Sequence, residues 1–184
     1  MPVKPKISFA ICVGEESHSF VELIDFLKKY KKAEDEIVVI SDFSKSVKIK
    51  ECIKKVDKHI FRKLLNDFAS HKNIFFSLCK NEYIFNLDSD ELPSEYLIKN
   101  IHNLIAESSH DLYWIPRLNY FTGVGDDEIK KMGMSIDKDK NNAVNFPDYQ
   151  GRIYRNDKKL KWKRKLHEQI NGATNSKKLK YSDG

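Results

Sequence analysis

A continuous apolar run, Ile7 to Val13, opens the pattern and predicts a buried strand. Phe20, Val21, Leu23, Ile24 and Leu27 then recur at helical spacing up to Tyr30, which makes a β-α step. Ile37-Val38-Val39-Ile40 is a short apolar run between charges, as expected of a parallel strand covered on both faces, and Ser41-Asp42-Phe43-Ser44 ends it. The spacing predicts a second helix over Val47 to Val56. It predicts a third over Phe61 to Leu78, broken or bent around Ser70 to Asn73. Tyr83 to Leu87 reads as another strand, and Ser94 to Ala106 as another helix. Strands separated by helices imply an α/β fold with a mainly parallel central sheet flanked by helices.

After Glu107 the pattern changes. Leu112-Tyr113-Trp114-Ile115-Pro116-Arg117 and Gly151-Arg152-Ile153-Tyr154-Arg155 read as strands. Between them, Gly123 to Asn145 is rich in Asp, Lys, Asn and Gly and reads as one long mobile loop, of the length that serves as an active-site lid or a disordered connection.

Length and charge narrow the class. A chain of 184 residues, 40% hydrophobic and 33% charged, can bury one sizeable core, so a single domain over 1–184 is expected. No stretch is long and apolar enough to span a bilayer, and the short run Ile7 to Val13 lacks a cleavable leader's small-residue site, so cytoplasmic residence is the expectation. Cys12, Cys52 and Cys79 are odd in number and widely spaced, which points to reduced, buried thiols rather than disulfides or zinc. The net charge of +6 suits an anionic ligand. The basic runs Lys28 to Lys32 and Lys158 to Lys165 have no nucleic-acid-binding signature beside them; they read as solvated faces, open to peripheral contact with anionic lipid, and no nucleic acid is expected as a partner.

The chemistry concentrates in Tyr83-Ile84-Phe85-Asn86-Leu87-Asp88-Ser89-Asp90-Glu91-Leu92-Pro93, an apolar run that stops in three carboxylates. If the backbone stays extended, Asp88 and Asp90 share a face while Ser89 turns away. Two hard carboxylates invite Mg2+ or Mn2+, which retains open positions for water and substrate phosphates. The competing reading is a helix cap, because Ser94 or Asp90 ahead of a helix satisfies its first amide groups without any metal.

Taken in order, several segments resemble glycosyltransferase family 2, which has the Rossmann-like GT-A fold: the first strand, Val39 to Ser44, Lys72-Asn73, Asn86 to Glu91, and Trp162 to Glu168. The likeness runs from about Lys6 to about Ile170. The Leu-Asp-x-Asp-Glu form, with Asn145 to Arg155, is similar to the branch that modifies bacterial surface saccharides. The resemblance implies a metal-dependent, inverting transfer of a sugar from a nucleotide-diphosphate sugar to a saccharide or other hydroxyl acceptor. It implies a donor-binding part over about 6–107 and an acceptor and catalytic part over about 108–175. Asp42 would then contact the base, Asp88 the ribose or the metal hydration shell, and Asp90 the metal of this DXD motif, while Lys72 approaches the diphosphate. His167 would complete the metal shell or bind phosphate, and Glu168 would be the general base, with Asp148 in reserve.

Structural readings stand beside these. Lys72 suits a solvent-facing helix position, and Glu168 suits an ion pair with Arg152 or Arg155. Arg117 and Arg152 suit either a diphosphate or internal salt bridges. Trp114, Tyr120 and Trp162 suit the core better than a sugar ring. At the level of function, the alternatives are a non-catalytic nucleotide- or saccharide-binding module of the same fold and a nucleotidyltransferase; Val13-Gly14-Glu15-Glu16 lacks the glycine-rich basic loop of the latter.

Overall fold

The computed structural model describes residues 4–15, 17–42 and 46–183, so Phe43 and Ser44 of the expected turn lie outside the described residues. The first half alternates strand and helix: β1 (Ile7–Val13), α1 (Ser17–Tyr30), β2 (Glu36–Ser41), α2 (Val47–Ile53), β3 (Lys58–Phe61), α3 (Phe68–Leu78), β4 (Tyr83–Asp88) and α4 (Glu95–Ser108). There follow β5 (Leu112–Asn119), α5 (Asp126–Lys131), β6 (Ile136–Asp137) and β7 (Ala143–Arg155). The last strands are β8 (Lys161–Lys163), β9 (Gln169–Asn171) and β10 (Ser176–Lys178).

The main sheet has the order β10-β5-β7-β4-β1-β2-β3, with β6 added on β7. The β3-β2-β1-β4 block is parallel, whereas β7 is antiparallel to both β4 and β5. Alternation along β1 divides the core between the sheet's two faces. Ile7, Phe9, Ile11 and Val13 pack with Leu23 and Leu27 of α1 and Ile98 and Ile101 of α4. Ala10 joins Val38, Ile40 and Ile84 on the other face, against Phe75 of α3 and Trp162.

Three local expectations change. The helix expected from Phe61 begins only at Phe68, because the chain before it pairs as β3 with β2 and then passes through Leu65 and Asn66 at φ 53° and 56°, which a right-handed helix excludes. Asp67 caps α3 by accepting from Ser70 N at 2.9 Å, and the helix runs unbroken through Ser70 to Asn73. The segment from Gly123 to Asn145 is not one loop. Its acidic first turn and basic last turn complement the α5 dipole, Ile129 is buried, and β6 pairs with β7.

The antiparallel insertion of β7 builds the site. Because β5 and β4 point the same way, Arg117 near the end of β5 and Asp88 at the end of β4 reach the same sheet edge, where β7 supplies Asp148, Gln150 and Arg152 between them. Past β7, the β8-β9 hairpin ends at Gly172, at φ +97°, where an added Cβ would lie 2.3 Å from the Lys159 carbonyl oxygen. Gly172→Ala should therefore cost about 1–3 kcal/mol of stability, measurable as a lower denaturation midpoint at an unchanged slope.

Candidate active site

Asp88 is the last residue of β4, and the chain turns immediately beyond it. Glu91 N donates to the Asp88 carbonyl at 3.1 Å, and Asp88 N donates to Glu91 Oε2 at 3.2 Å. The extended alternation thus stops at Asp88, and the two aspartates do not share a strand face. Asp88 lines a cleft of about 400 Å3 with Lys72, Arg152, Trp162, His167 and Glu168. Asp90 lines an adjoining groove of about 990 Å3, and the two spaces meet along Arg117, Gln150 and Arg152. The cap for α4 is Ser94, which accepts from Leu97 N at 3.0 Å, leaving Asp90 exposed and without a hydrogen bond or ion pair among the described residues.

Carboxylates and cations interleave across the cleft. Arg152 is buried, and its Nη2 donates to Asp88 Oδ2 at 2.6 Å and to Glu91; its Nε is buried with no partner among the described residues. Arg117 donates from Nη1 to Glu91 Oε1 at 3.0 Å, and from Nη2 and Nε to Asp148 Oδ2 at 2.8 and 3.1 Å. Lys72 is not solvent-facing. Only 3% exposed, its Nζ sits 2.5 Å from Glu168 Oε1, 3.4 Å from Asp88 Oδ1 and 4.9 Å from the Trp162 ring centroid. Glu168 therefore pairs with neither Arg152 nor Arg155.

Asn73, the next residue, clamps the hairpin to α3. It donates to Trp162 O and accepts from Trp162 N, both at 2.9 Å. The hairpin in turn presents Glu168, half-buried, and His167, exposed at φ 51°.

Proton affinities follow the same layout. Burial works to raise the Asp88 carboxyl, but Arg152 and Lys72 outweigh it and bring its pKa down to about 2. Burial pushes the neighbouring Cys12 thiol up to about 12 against the influence of Lys72, so it is neutral at ordinary pH. Asp148 is also held below its ordinary value: burial opposes this, but Asn119, Arg117 and Gln150 all donate to it. Such a saturated carboxylate is a poor proton acceptor. Glu168 has one oxygen on Lys72, and its Oε2 has no partner among the described residues.

Asp42 stands apart from this cluster. It directly follows β2, its N donates to Val13 O at 2.9 Å, and it is not among the residues lining either cleft. At the same edge the structure supplies Arg62, hidden from the sequence by the expected helix. Arg62 Nη2 donates to Ser70 Oγ at 2.7 Å and Nη1 to His71 Nδ1 at 2.9 Å. His71 Nε2 lies 3.0 Å from the Arg62 carbonyl oxygen and must donate to it, which makes the ring neutral, in keeping with the lowering of its pKa by burial. An arginine just beyond a strand, at the edge where open α/β sheets bind ligands, was the available signal. Of the three aromatics expected in the core, Trp162 is buried, Trp114 is half-buried at the cleft wall, and Tyr120 is 51% exposed.

The described residues contain no group of three His, Cys, Asp or Glu side chains gathered for a metal. Asp90 nonetheless fits a cation that takes only one or two protein oxygens, being an uncommitted hard carboxylate beside the cleft. Arg152 Nε is buried without a hydrogen-bond partner among the described residues, an uncompensated cost beside the ion pairs that its Nη2 makes. Among the described residues, no helix is long and apolar enough to cross a membrane.

This fold has structural relatives. S. aureus TarS, residues 1–349, superposes with a TM-score of 0.64 at 16% identity, over 95% of this chain and 58% of that one. The mannosyltransferase PcManGT from Pyrobaculum calidifontis, in complex with GDP-Man and Mn2+, gives 0.52 at 15% identity, over 60% of this chain and 35% of that one. Glucosyl-3-phosphoglycerate synthase from M. tuberculosis, with Mn2+, UDP and phosphoglyceric acid, gives 0.50 at 14%, over 65% and 44%. At these identities the likeness establishes the GT-A fold, and the chain spans little more than half of the TarS fragment. No curated protein matches. The family model for glycosyl transferase family 2 matches residues 8–178, almost the whole sheet together with the hairpin that carries Glu168. The chain is therefore a member of glycosyl transferase family 2.

Proposed function

We propose that the chain transfers a sugar from a nucleotide-diphosphate sugar to a hydroxyl acceptor, with inversion at the anomeric carbon. The observation that carries this reading is the convergence of Lys72, Arg152, Asp88 and Glu168 in one cleft at the sheet edge. The family supports it, as do relatives solved with UDP-GlcNAc and with GDP-Man and Mn2+.

Arg152 and Lys72, which line the cleft, bind the diphosphate, and Arg117 supports them from the wall where the two spaces meet. Asp42 faces the base and Asp88 the ribose. Asp90 would hold a divalent cation, Mn2+ or Mg2+, and His167, which lines the neighbouring donor cleft, would complete its shell or hydrogen-bond phosphate. When bound, the ion supplies positive charge against the leaving diphosphate. Glu168 Oε2 takes the acceptor hydroxyl proton as the acceptor oxygen bonds to the anomeric carbon; the bond from that carbon to the phosphate oxygen breaks, and the nucleoside diphosphate carries away the electron pair. The Lys72 contact turns one Glu168 oxygen inward and leaves the other for the acceptor.

The test is thermal stabilisation by ADP, GDP, UDP, CDP and TDP, each with and without Mn2+. One nucleotide at about a hundredfold above its Kd should add roughly 2.7 kcal/mol. Asp90→Asn should remove the Mn2+-dependent part of that shift. No shift with any nucleotide would overturn the reading.

A further inference from the structure

The groove beside the donor cleft is lined by exposed hydrophobic side chains from distant parts of the chain. Ten large hydrophobic residues are exposed among those described, and five of them, Leu92, Tyr96, Tyr120, Phe121 and Tyr181, line this groove. They come from the turn after β4, the first turn of α4, the stretch after β5 and the last residues of the chain, so no local pattern accounts for their convergence. Its wall reaches the buried Phe85, Leu87 and Leu97. An exposed apolar surface gathered at a concave site and continuous with a charged cleft marks a place where a ligand lies.

The polar lining selects among ligands. Asp90, Ser94, Asn119 and Gln150 line the same groove as the aromatic rings. Glu95 also lines the groove, where it pairs with Lys99, and Glu91 is held by Arg117 and Arg152. A lipid chain would take Asp90 and the remaining hydrogen-bonding capacity of Ser94, Asn119 and Gln150 out of water and offer them no partner, a cost that the apolar contacts would have to overcome. With Glu91 held by Arg117 and Arg152, Glu95 by Lys99 and Asp90 by the cation proposed for it, the groove has no spare charge to offer an anionic headgroup. A neutral saccharide satisfies both halves of the surface, since a pyranose ring offers a C–H face to an aromatic ring and hydroxyls at its edge to carboxylates and amides. A volume of about 990 Å3 lies at the upper end of the range for ligand sites, large for a single ring.

We propose that this groove is the acceptor subsite and takes an uncharged saccharide of two or more rings, stacked on Tyr96, Tyr120 and Phe121 with its reacting end at Arg117, Gln150 and Arg152. The assignment rests on the reading of the adjoining cleft as the sugar-donor site. It places acceptor recognition on side chains that lie outside the donor cleft.

The experiment uses the full chain, saturation-transfer NMR and titration with uncharged gluco-, galacto-, manno- and rhamno-oligosaccharides of one to six residues, and with dodecyl-chain micelles and phosphatidylglycerol vesicles as the apolar and anionic alternatives. At least one oligosaccharide series should bind, more tightly at two or more residues than at one. Tyr120→Ala and Phe121→Ala, at half-exposed positions that the core does not need, should each weaken it about tenfold or more. The nucleotide-dependent thermal shift should be unchanged in both variants. Micelle or vesicle binding that the same substitutions abolish, with no saccharide bound, would overturn the proposal, as would an intact nucleotide shift with no ligand in the groove at all. Loss of the nucleotide shift in the unsubstituted chain would instead overturn the donor reading on which it rests.

Discussion

Replacing Glu168 by Gln should lower the rate of sugar transfer roughly 10²- to 10⁴-fold, the usual contribution of a positioned base. The amide is nearly the same shape, and its carbonyl oxygen still accepts from Lys72, whose Nζ also retains Asp88 at 3.4 Å. The buried lysine therefore keeps its partners, and the hairpin keeps the Asn73 clamp on Trp162. What disappears is the free carboxylate oxygen facing the cleft. Nucleoside diphosphate binding, read by thermal shift, should persist, and kcat should fall with little change in the donor KM. Asp148→Asn serves as the comparison. Its carboxylate already accepts from Arg117, Asn119 and Gln150, so its loss should disturb Arg117 more than it removes a base. If Asp148→Asn abolished transfer and Glu168→Gln left it intact, the two roles would have to be exchanged.

The parts of this site legible in the sequence are those whose signal is local. Tyr83 to Leu87 is apolar except for Asn86, whose Nδ2 donates to Ala10 O at 3.0 Å, because β4 is covered on both faces, and the carboxylates begin where that cover ends. Lys72-Asn73 and His167-Glu168 were marked by family resemblance, and the structure brings Lys72 to Glu168 and Asn73 to Trp162 across more than eighty residues of sequence. Non-local pairing was not legible. Nothing in the Gly151 to Arg155 pattern announces that this strand enters antiparallel between β4 and β5, yet that placement turns Arg152 from a strand residue into the bridge between Asp88 and Glu91. The helical spacing of apolar residues after Phe61 was real from Phe68 onward. It masked the β3 strand and the left-handed residues Leu65 and Asn66, and with them the position of Arg62. The Asp88–Asp90 pair shows the same limit in miniature: alternation is a property of extended chain, and the turn begins one residue too early for it to apply.

Arg152→Met should destabilise the protein by about 2–4 kcal/mol at neutral pH, within and somewhat below the range for breaking a buried ion pair. The methionine fills much of the same space, so the loss comes from two carboxylates left facing each other with less compensation. Asp88 would retain Lys72, and Glu91 would retain Arg117, which keeps the cost from being larger. Lysine is no substitute, because one Arg152 nitrogen reaches both acids from a buried fork that a flexible ammonium does not reproduce. The pH dependence separates this electrostatic cost from a packing defect. Asp88 has a pKa of about 2 in the folded protein, against about 3.9 for an unperturbed aspartate, so its ion pairs contribute fully above the higher value and are lost as pH falls through the lower one. In Arg152→Met the folded-state pKa moves back toward the ordinary value, and the variant loses less than the unsubstituted protein on acidification. The gap between their denaturation midpoints should therefore narrow from pH 5 toward about pH 2, with the variant's nucleotide-dependent stabilisation lost at every pH. A gap that stays constant over that range would assign the cost to packing, and would leave Arg152 as a structural residue rather than the cation that couples the Asp88 edge to the diphosphate.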